Sequence, residues 1–240
     1  MNPIIEAPRL RLTRVICIDL DSEHLAWFHQ VWSDETATAW SLHGHTKTLS
    51  ESQQWMAELV KNDEIMYAVH VKSAPDSPQT SDLHEVIESG AIGILGLRRL
   101  NNATLPPPTP TTDSGSIGWP VLKKLNDATL LSPAPRGYMQ TGNSITIIRS
   151  IGYQILQSSW GKGYATEAVS ALLSCYGEAT RLEEESGRYV EAIVGKDNAA
   201  SIRVIEKLGF QKAGWKEETE GVFLAGKWRD PGYWVYGKYV

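Results

Sequence analysis

Two glycines one residue apart, where a strand pattern gives way to a helix pattern, have the strongest chemical potential in this chain. They lie within Ser158-Ser159-Trp160-Gly161-Lys162-Gly163-Tyr164-Ala165-Thr166-Glu167-Ala168. Alternation over residues 151–156 predicts a strand before them. Apolar residues at Ala165, Ala168, Val169, Leu172, Leu173 and Tyr176 predict a helix after them. The first N–H groups of such a helix have no intrahelical partner and carry the positive end of its dipole. Glycines without Cβ atoms let an anion sit on that backbone, and a phosphate or pyrophosphate is the natural guest. The loop is not a Walker sequence, because Lys162 lies between the glycines and no Ser or Thr follows it. It is a poor dinucleotide fingerprint, because Thr166 stands where the third glycine belongs. Alone, it fits a phosphate cradle and an ordinary strand-to-helix turn alike.

A second unit of the same kind follows. Residues 189–194 read as a strand, and Asn198-Ala199-Ala200-Ser201-Ile202-Arg203-Val204-Ile205-Glu206-Lys207-Leu208 reads as a helix. Asp197 or Asn198 suits its N-cap, and Gly209 suits the position just past its end. Asn198 and Ser201 put a polar pair near the helix start.

Together these segments resemble the GNAT superfamily of N-acetyltransferases, in particular the branch with the ribosomal-protein-alanine N-acetyltransferases. The resemblance rests on Ile151-Gly152-Tyr153, on Trp160 through Ala168, and on Asn198-x-x-Ser201 with Lys207-Leu208-Gly209-Phe210 behind it. Weaker likeness covers Arg9-Leu10-Arg11-Leu12, Trp55 and Gly226-Lys227-Trp228-Arg229-Asp230. It implies an α/β (α+β) fold: a mixed, twisted central sheet with splayed middle strands, flanked by helices. It implies acetyl-CoA as co-substrate and no metal. Ile155, Leu156, Gln157, Trp160, Gly161, Lys162, Gly163, Tyr164 and Ala165 would hold the cofactor, with Asn198 and Ser201 on the pantetheine arm or phosphates. The family loop usually opens with Gln or Arg where Ser158 stands here. That departure removes one side-chain contact and leaves the backbone cradle.

The reaction implied is attack of a primary amine on the thioester. A neutral amine is needed, so a base or ordered water must take a proton. A backbone N–H among residues 154–156 would meet the oxyanion, and much of the rate would come from positioning. Many superfamily members carry a tyrosine acid four residues after the motif serine, where this chain has Ile205. Tyr153, Ser201 and water remain as proton donors. Glu191 is the carboxylate best placed to act as base, the alternative being a solvent-facing strand residue. Its replacement by Gln is expected to cost most at low pH, where an unassisted amine is protonated. Glu167 reads as dipole compensation at a helix N-terminus. The expected enzyme is an acetyl-CoA-dependent N-acetyltransferase acting on a peptide α-amine or a small-molecule amine. The alternative is a non-catalytic acyl-CoA-binding or sensing module.

Composition bounds the rest. A net charge of −5 argues against nucleic acid as partner, and no apolar run reaches membrane-spanning length. Glu183-Glu184-Glu185 reads as a solvated face. Two cysteines, Cys17 and Cys175, make no disulfide framework and read as core thiols in a cytoplasmic protein, monomer or homodimer. His43 and His45 lack a third ligand and read as an acceptor-side loop rather than a metal site.

The positioning elements are legible along the chain. Residues 9–15 predict a strand, and residues 21–33 a helix with Leu25, Phe28, Val31 and Trp32 inward. Thr48-x-x-Glu51 is a capping box opening a helix with Trp55, Met56, Leu59 and Val60 on one stripe. Residues 66–71 and 91–97 predict strands, and residues 222–240 terminal strands around a turn at Asp230-Pro231-Gly232. The 240 residues suit a single domain with loop insertions at about 73–89 and 101–143. Nine of the twelve prolines fall in these insertions, which therefore bury little surface. Deleting residues 104–110 is expected to leave Tm within a few degrees, because loop length changes closure entropy only slowly. Thermal denaturation of the deletion variant checks this, and a collapse in Tm would show that the segment packs on the core.

Overall fold

A computed structural model describes residues 1–72, 90–100, 138–141, 144–180 and 186–240. In chain order the elements are β1 (Ile4–Glu6), β2 (Leu10–Arg14), α1 (Glu23–Trp32), α2 (Leu49–Lys61), β3 (Ile65–Val71), β4 (Gly93–Arg99), β5 (Tyr138–Thr141) and β6 (Ser144–Ile155). Then follow α3 (Tyr164–Thr180), β7 (Ser186–Val194), α4 (Ala199–Lys207), β8 (Gln211–Lys216), β9 (Val222–Leu224), β10 (Lys227–Arg229) and β11 (Tyr233–Tyr239). The strands form a mixed sheet in the hydrogen-bonded order β1-β2-β3-β4-β6-β7-β11-β8, with β5 on β6 and a separate β9–β10 hairpin. Only the β6–β7 pairing is parallel among those with a described register. This is the mixed α/β sheet with flanking helices expected from the sequence.

The chain divides into two compact units. The first holds Met1–Arg98, Gly152–Arg181 and Leu224–Gly226. Its core is the expected face of α1, with Leu25, Trp27, Phe28, Val31 and Trp32 buried against Met56 and Leu59 of α2 and Met66, Ala68 and Ile94 of the sheet. Ser22 caps α1 by accepting from the Leu25 N–H, and Thr48 caps α2 by accepting from the Glu51 N–H. Glu51 completes the box one residue early, accepting from the N–H of Lys47 at 2.6 Å. Val60 departs from the expected stripe and is exposed, because it sits one position past the buried Leu59 on a helix whose apolar face is narrow.

The second unit holds Arg99–Ile151, Leu182–Phe223 and Lys227–Val240. Here β7 pairs with β6 on one edge and antiparallel with β11 on the other, and β11 continues to β8. Tyr189 is fully buried among Ile148, Leu100 and Tyr239. Among the described residues, no helix is long and apolar enough to cross a membrane.

Four strands and one cysteine differ from expectation. Residues 138–141, placed in the second insertion, form β5 on β6, and β6 starts at Ser144 rather than near residue 151. β1 and β8 carry no alternating pattern of their own and exist as partners of β2 and β11. Cys17 is half-buried beside Asp19, not a core thiol, whereas Cys175 is buried. The rest of both insertions, including residues 104–110, and the acidic run 183–185 lie outside the described residues.

Gly237 of β11 shows how tightly the second unit is packed. A Cβ there would overlap the ring and hydroxyl of Tyr189. Gly237→Ala is expected to cost about 1–3 kcal/mol through overpacking, read as a lowered midpoint in urea denaturation with an unchanged m-value.

Candidate active site

The glycine loop lies in the first unit. β6 ends at Ile155, a 3-10 turn spans Gln157–Ser159, and Trp160 folds back so that its Nε1 donates to the Ile155 carbonyl at 2.6 Å. The Trp160 ring stays half exposed. Gly161 and Gly163 follow with φ of +74° and +81°, the left-handed region where a side chain is strained. A Cβ on Gly161 would meet nothing within 4 Å, so the space above it is open. α3 then begins at Tyr164, directly after Gly163, which has no side chain to cap it. Ser22, Thr48 and Asn198 each cap their own helix. The first turn of α3 thus offers backbone N–H groups to an external acceptor, and the residues present fit a pyrophosphate.

Glu167 does more than compensate the dipole. It accepts from the backbone N–H and guanidinium of Arg9, both at 2.7 Å, and Arg9 also donates to the Lys162 carbonyl at 3.0 Å. Sequence reasoning missed Arg9 as part of this site. It sits more than 150 positions from Glu167, and no local spacing signals the contact.

The backbone donors on β6 are sorted by their partners. The Leu156 N–H donates to the Ile92 carbonyl at 2.9 Å, and its own carbonyl accepts from Ser159. Leu156 is therefore unavailable as the oxyanion donor. A Cβ on Gly93 would lie 2.6 Å from the Gln154 carbonyl, so Gln154 also faces β4. Strand alternation turns Ile155 to the opposite edge, which makes its N–H the donor best suited to a ligand. Tyr153 is half-buried on the same strand, facing the same edge as Ile155 by its main chain.

In the second unit, Asn198 is the N-cap of α4. Its Oδ1 accepts from the Ser201 N–H at 3.1 Å, which leaves its amide NH₂ as the group free of capping duty. Ser201 is half-buried in the first turn. Gly209, at φ +80°, closes the helix, with Phe210 N–H to the Ile205 carbonyl and Gly209 N–H to the Glu206 carbonyl. Ile205 is buried, so the position of the absent tyrosine acid is a packing position here.

Glu191 is buried on β7, not solvent-facing, opposite Ser150 of β6 and Gly237 of β11. The described β6–β7 ladder ends at this Ser150–Glu191 pair, although both strands continue. Burial pushes its pKa up to about 7, with Lys216 opposing the rise. The two histidines of the acceptor-side loop go separate ways. His43 stacks on Trp55, ring centroids 3.8 Å apart, and His45 lies 3.5 Å from Glu35. Among the described residues, no group of three or more His, Cys, Asp or Glu could hold a metal ion.

Comparison with known proteins agrees with this geometry. The profile of the acetyltransferase (GNAT) domain matches residues 14–211. The chain belongs to the GNAT acetyltransferase family. It is 39% identical over 64 residues to an uncharacterized N-acetyltransferase, YoaA, of Bacillus subtilis, an alignment covering 27% of this chain and 33% of that protein. The chain thus spans about a third of the length of the curated relatives it matches. Among solved structures, ribosomal-protein-S5-alanine acetyltransferase from Vibrio fischeri superposes with a TM-score of 0.57 at 14% identity, covering 99% of this chain and 96% of that one. RimJ of Mycobacterium smegmatis, in complex with CoA-disulfide, gives 0.56 at 13% identity, covering 99% and 86%. At these identities the likeness is one of fold.

The raised pKa of Glu191 makes stability depend on pH. The folded state holds the proton more tightly than the unfolded chain does. Stability is therefore full below about pH 4.5 and falls as pH rises through about 7, where the buried carboxylate ionises. Glu191→Gln removes that loss. It is expected to raise Tm relative to the wild type by roughly 5 °C or more at pH 8, with the advantage shrinking toward pH 4.5. Paired thermal melts across this range check it.

Proposed function

We propose that this protein is an acetyl-CoA-dependent N-acetyltransferase, a single catalytic domain that moves an acetyl group to a primary amine. The observation that carries the reading is that α3 opens directly on a glycine, behind the left-handed turn of Gly161 and Gly163. Acetyl-CoA supplies an activated acetyl thioester. The N–H groups of Gly163, Tyr164 and Ala165 hold its pyrophosphate, with Trp160, Gly161 and Lys162 at the rim. Gln157 borders the arm, and the amide of Asn198 and the hydroxyl of Ser201 contact the pantetheine. The Ile155 N–H stabilises negative charge developing on the acetyl oxygen. Glu191, directly or through a water, takes the proton from the attacking amine. Tyr153 or Ser201 returns a proton to the leaving sulfur. No step needs a metal.

The acceptor is a protein or peptide α-amine, or a small-molecule amine of similar reach. Support comes from the fold shared with proteins named as ribosomal-protein alanine and L7/L12 N-terminal serine acetyltransferases. The unpaired cysteines accord with a cytoplasmic setting.

Two measurements test the reading. A panel of amines and peptides with acetyl-CoA, read by free-thiol release, is expected to give turnover; CoA binding without turnover on any amine would instead mark a binding or sensing module. Gly163→Val puts a branched Cβ on a left-handed residue of the cradle and is expected to weaken CoA binding by at least about tenfold, roughly 1.4 kcal/mol. Unchanged affinity by calorimetry on the folded variant would remove the cradle.

The raised pKa of Glu191 also reverses the pH dependence expected from the sequence. Below about pH 7 its carboxyl is protonated and cannot act as base, so an amine gains little from it there. Glu191→Gln is expected to lower kcat/KM by about 10²-fold or more above pH 7 and progressively less below it. A pH–rate profile with a turned-over amine checks this. An unchanged profile would assign proton removal to water or to the acceptor.

A further inference from the structure

We propose that Arg9 is a positioning residue for the donor's pyrophosphate. It fixes the Lys162–Gly163 peptide so that the Gly163 N–H faces the phosphates, and it neutralises Glu167 at the same helix end. The proposal rests on the acetyl-CoA reading.

Arg9 is well placed to act as a fixed post. It stands immediately before β2, and its carbonyl accepts from the Lys72 N–H at 2.9 Å, which ties its main chain to the sheet. Its side chain crosses to the glycine loop. Nε donates to Glu167 Oε2 at 2.7 Å, Nη2 lies 2.7 Å from the same oxygen, and Nη1 donates to the Lys162 carbonyl at 3.0 Å. The backbone N–H of Arg9 takes the other carboxylate oxygen at 2.7 Å. The guanidinium also lies over the Tyr164 ring, 4.9 Å from its centroid. A Cβ on Gly163 would sit 3.4 Å from Nη2, so Arg9 backs the glycine itself.

Two consequences follow for an anion. In a planar trans peptide the C=O and N–H point to opposite sides. With the Lys162 carbonyl held toward Arg9, the Gly163 N–H is turned away from Arg9. Gly163 tolerates the resulting φ of +81°, and the loop needs no reorganisation when a phosphate arrives. The second consequence concerns charge. Glu167 lies in the first turn of α3, where a bare carboxylate would repel a phosphate at the same N-terminus. Arg9 covers both of its oxygens. The arginine is half exposed, so salt screens the ionic part of this pairing. The fork to Glu167 and the bond to the Lys162 carbonyl are geometric, and a lysine cannot reproduce both.

The test separates a loop-positioning role from a general structural one. Arg9→Ala, Arg9→Lys and the wild type are compared by calorimetry with CoA and dephospho-CoA, and by ligand-observed NMR with pantetheine, which lacks the pyrophosphate. Arg9→Ala is expected to weaken CoA and dephospho-CoA equally, by about tenfold, and to leave pantetheine within twofold. Arg9→Lys, which keeps the charge, is expected to weaken both nucleotides by about threefold, and it carries the test if Arg9→Ala does not fold. Adding Glu167→Gln to Arg9→Ala is expected to recover part of the loss by removing the bare carboxylate. Unchanged CoA affinity in a folded Arg9 variant, or an equal loss for pantetheine, overturns the proposal. A wild type that binds no CoA overturns the acetyl-CoA reading itself, a distinct result.

Discussion

A helix that opens on a glycine, with no side chain at its N-cap position, sets the terms for the candidate site. The other three helices satisfy one of their early N–H groups with Ser22, Thr48 or Asn198. α3 opens instead on Gly163, which has no side chain to satisfy them. Around that unmet demand the neighbouring residues have consistent roles. Gly161 and Gly163 take left-handed φ values, Trp160 anchors the loop's entry to Ile155, and Arg9 anchors its exit.

A second electrostatic feature stands in the other unit. Glu191 is kept from water on a strand with hydrogen-bonded neighbours on both sides, and its burial outweighs the opposing charge of Lys216. A carboxyl in that setting holds its proton to near neutrality. The same burial that destabilises the fold at high pH brings the group into the range where it can exchange protons near neutrality.

The elements most readily read from the chain are those stabilised by their nearest neighbours. Thr48 and Glu51 mark a helix start because the groups they satisfy are three residues away. Gly209 marks a helix end because the left-handed turn and its two reversed hydrogen bonds are local. β1, β5 and β8 were not legible in the same way. They are short, and what holds them is a partner strand supplied from elsewhere in the chain. Val60 failed as a core residue for a related reason: helical spacing gives the order of residues around the axis but not the width of the face a neighbour covers.

The cradle and the polar pair of α4 follow from local grammar: strand, glycine turn and helix start are each specified within a few residues, and their chemistry is carried by backbone that any such turn exposes. Which N–H groups remain available is not local. Leu156 is engaged because Ile92 happens to lie beside it, and Ile155 is left because alternation turns it the other way. Arg9 and Glu167 meet only once sheet and helix are packed, and the loop has no hint of that partner in its own spacing. Glu191 could face water or the interior with equal local sense. Its burial, and with it a pKa near 7, comes with the pairing of β6 and β11 on either side of it. Short-range hydrogen bonding writes itself into sequence pattern; burial and long-range charge pairing are properties of the assembled fold, because they depend on atoms the chain brings together from far apart.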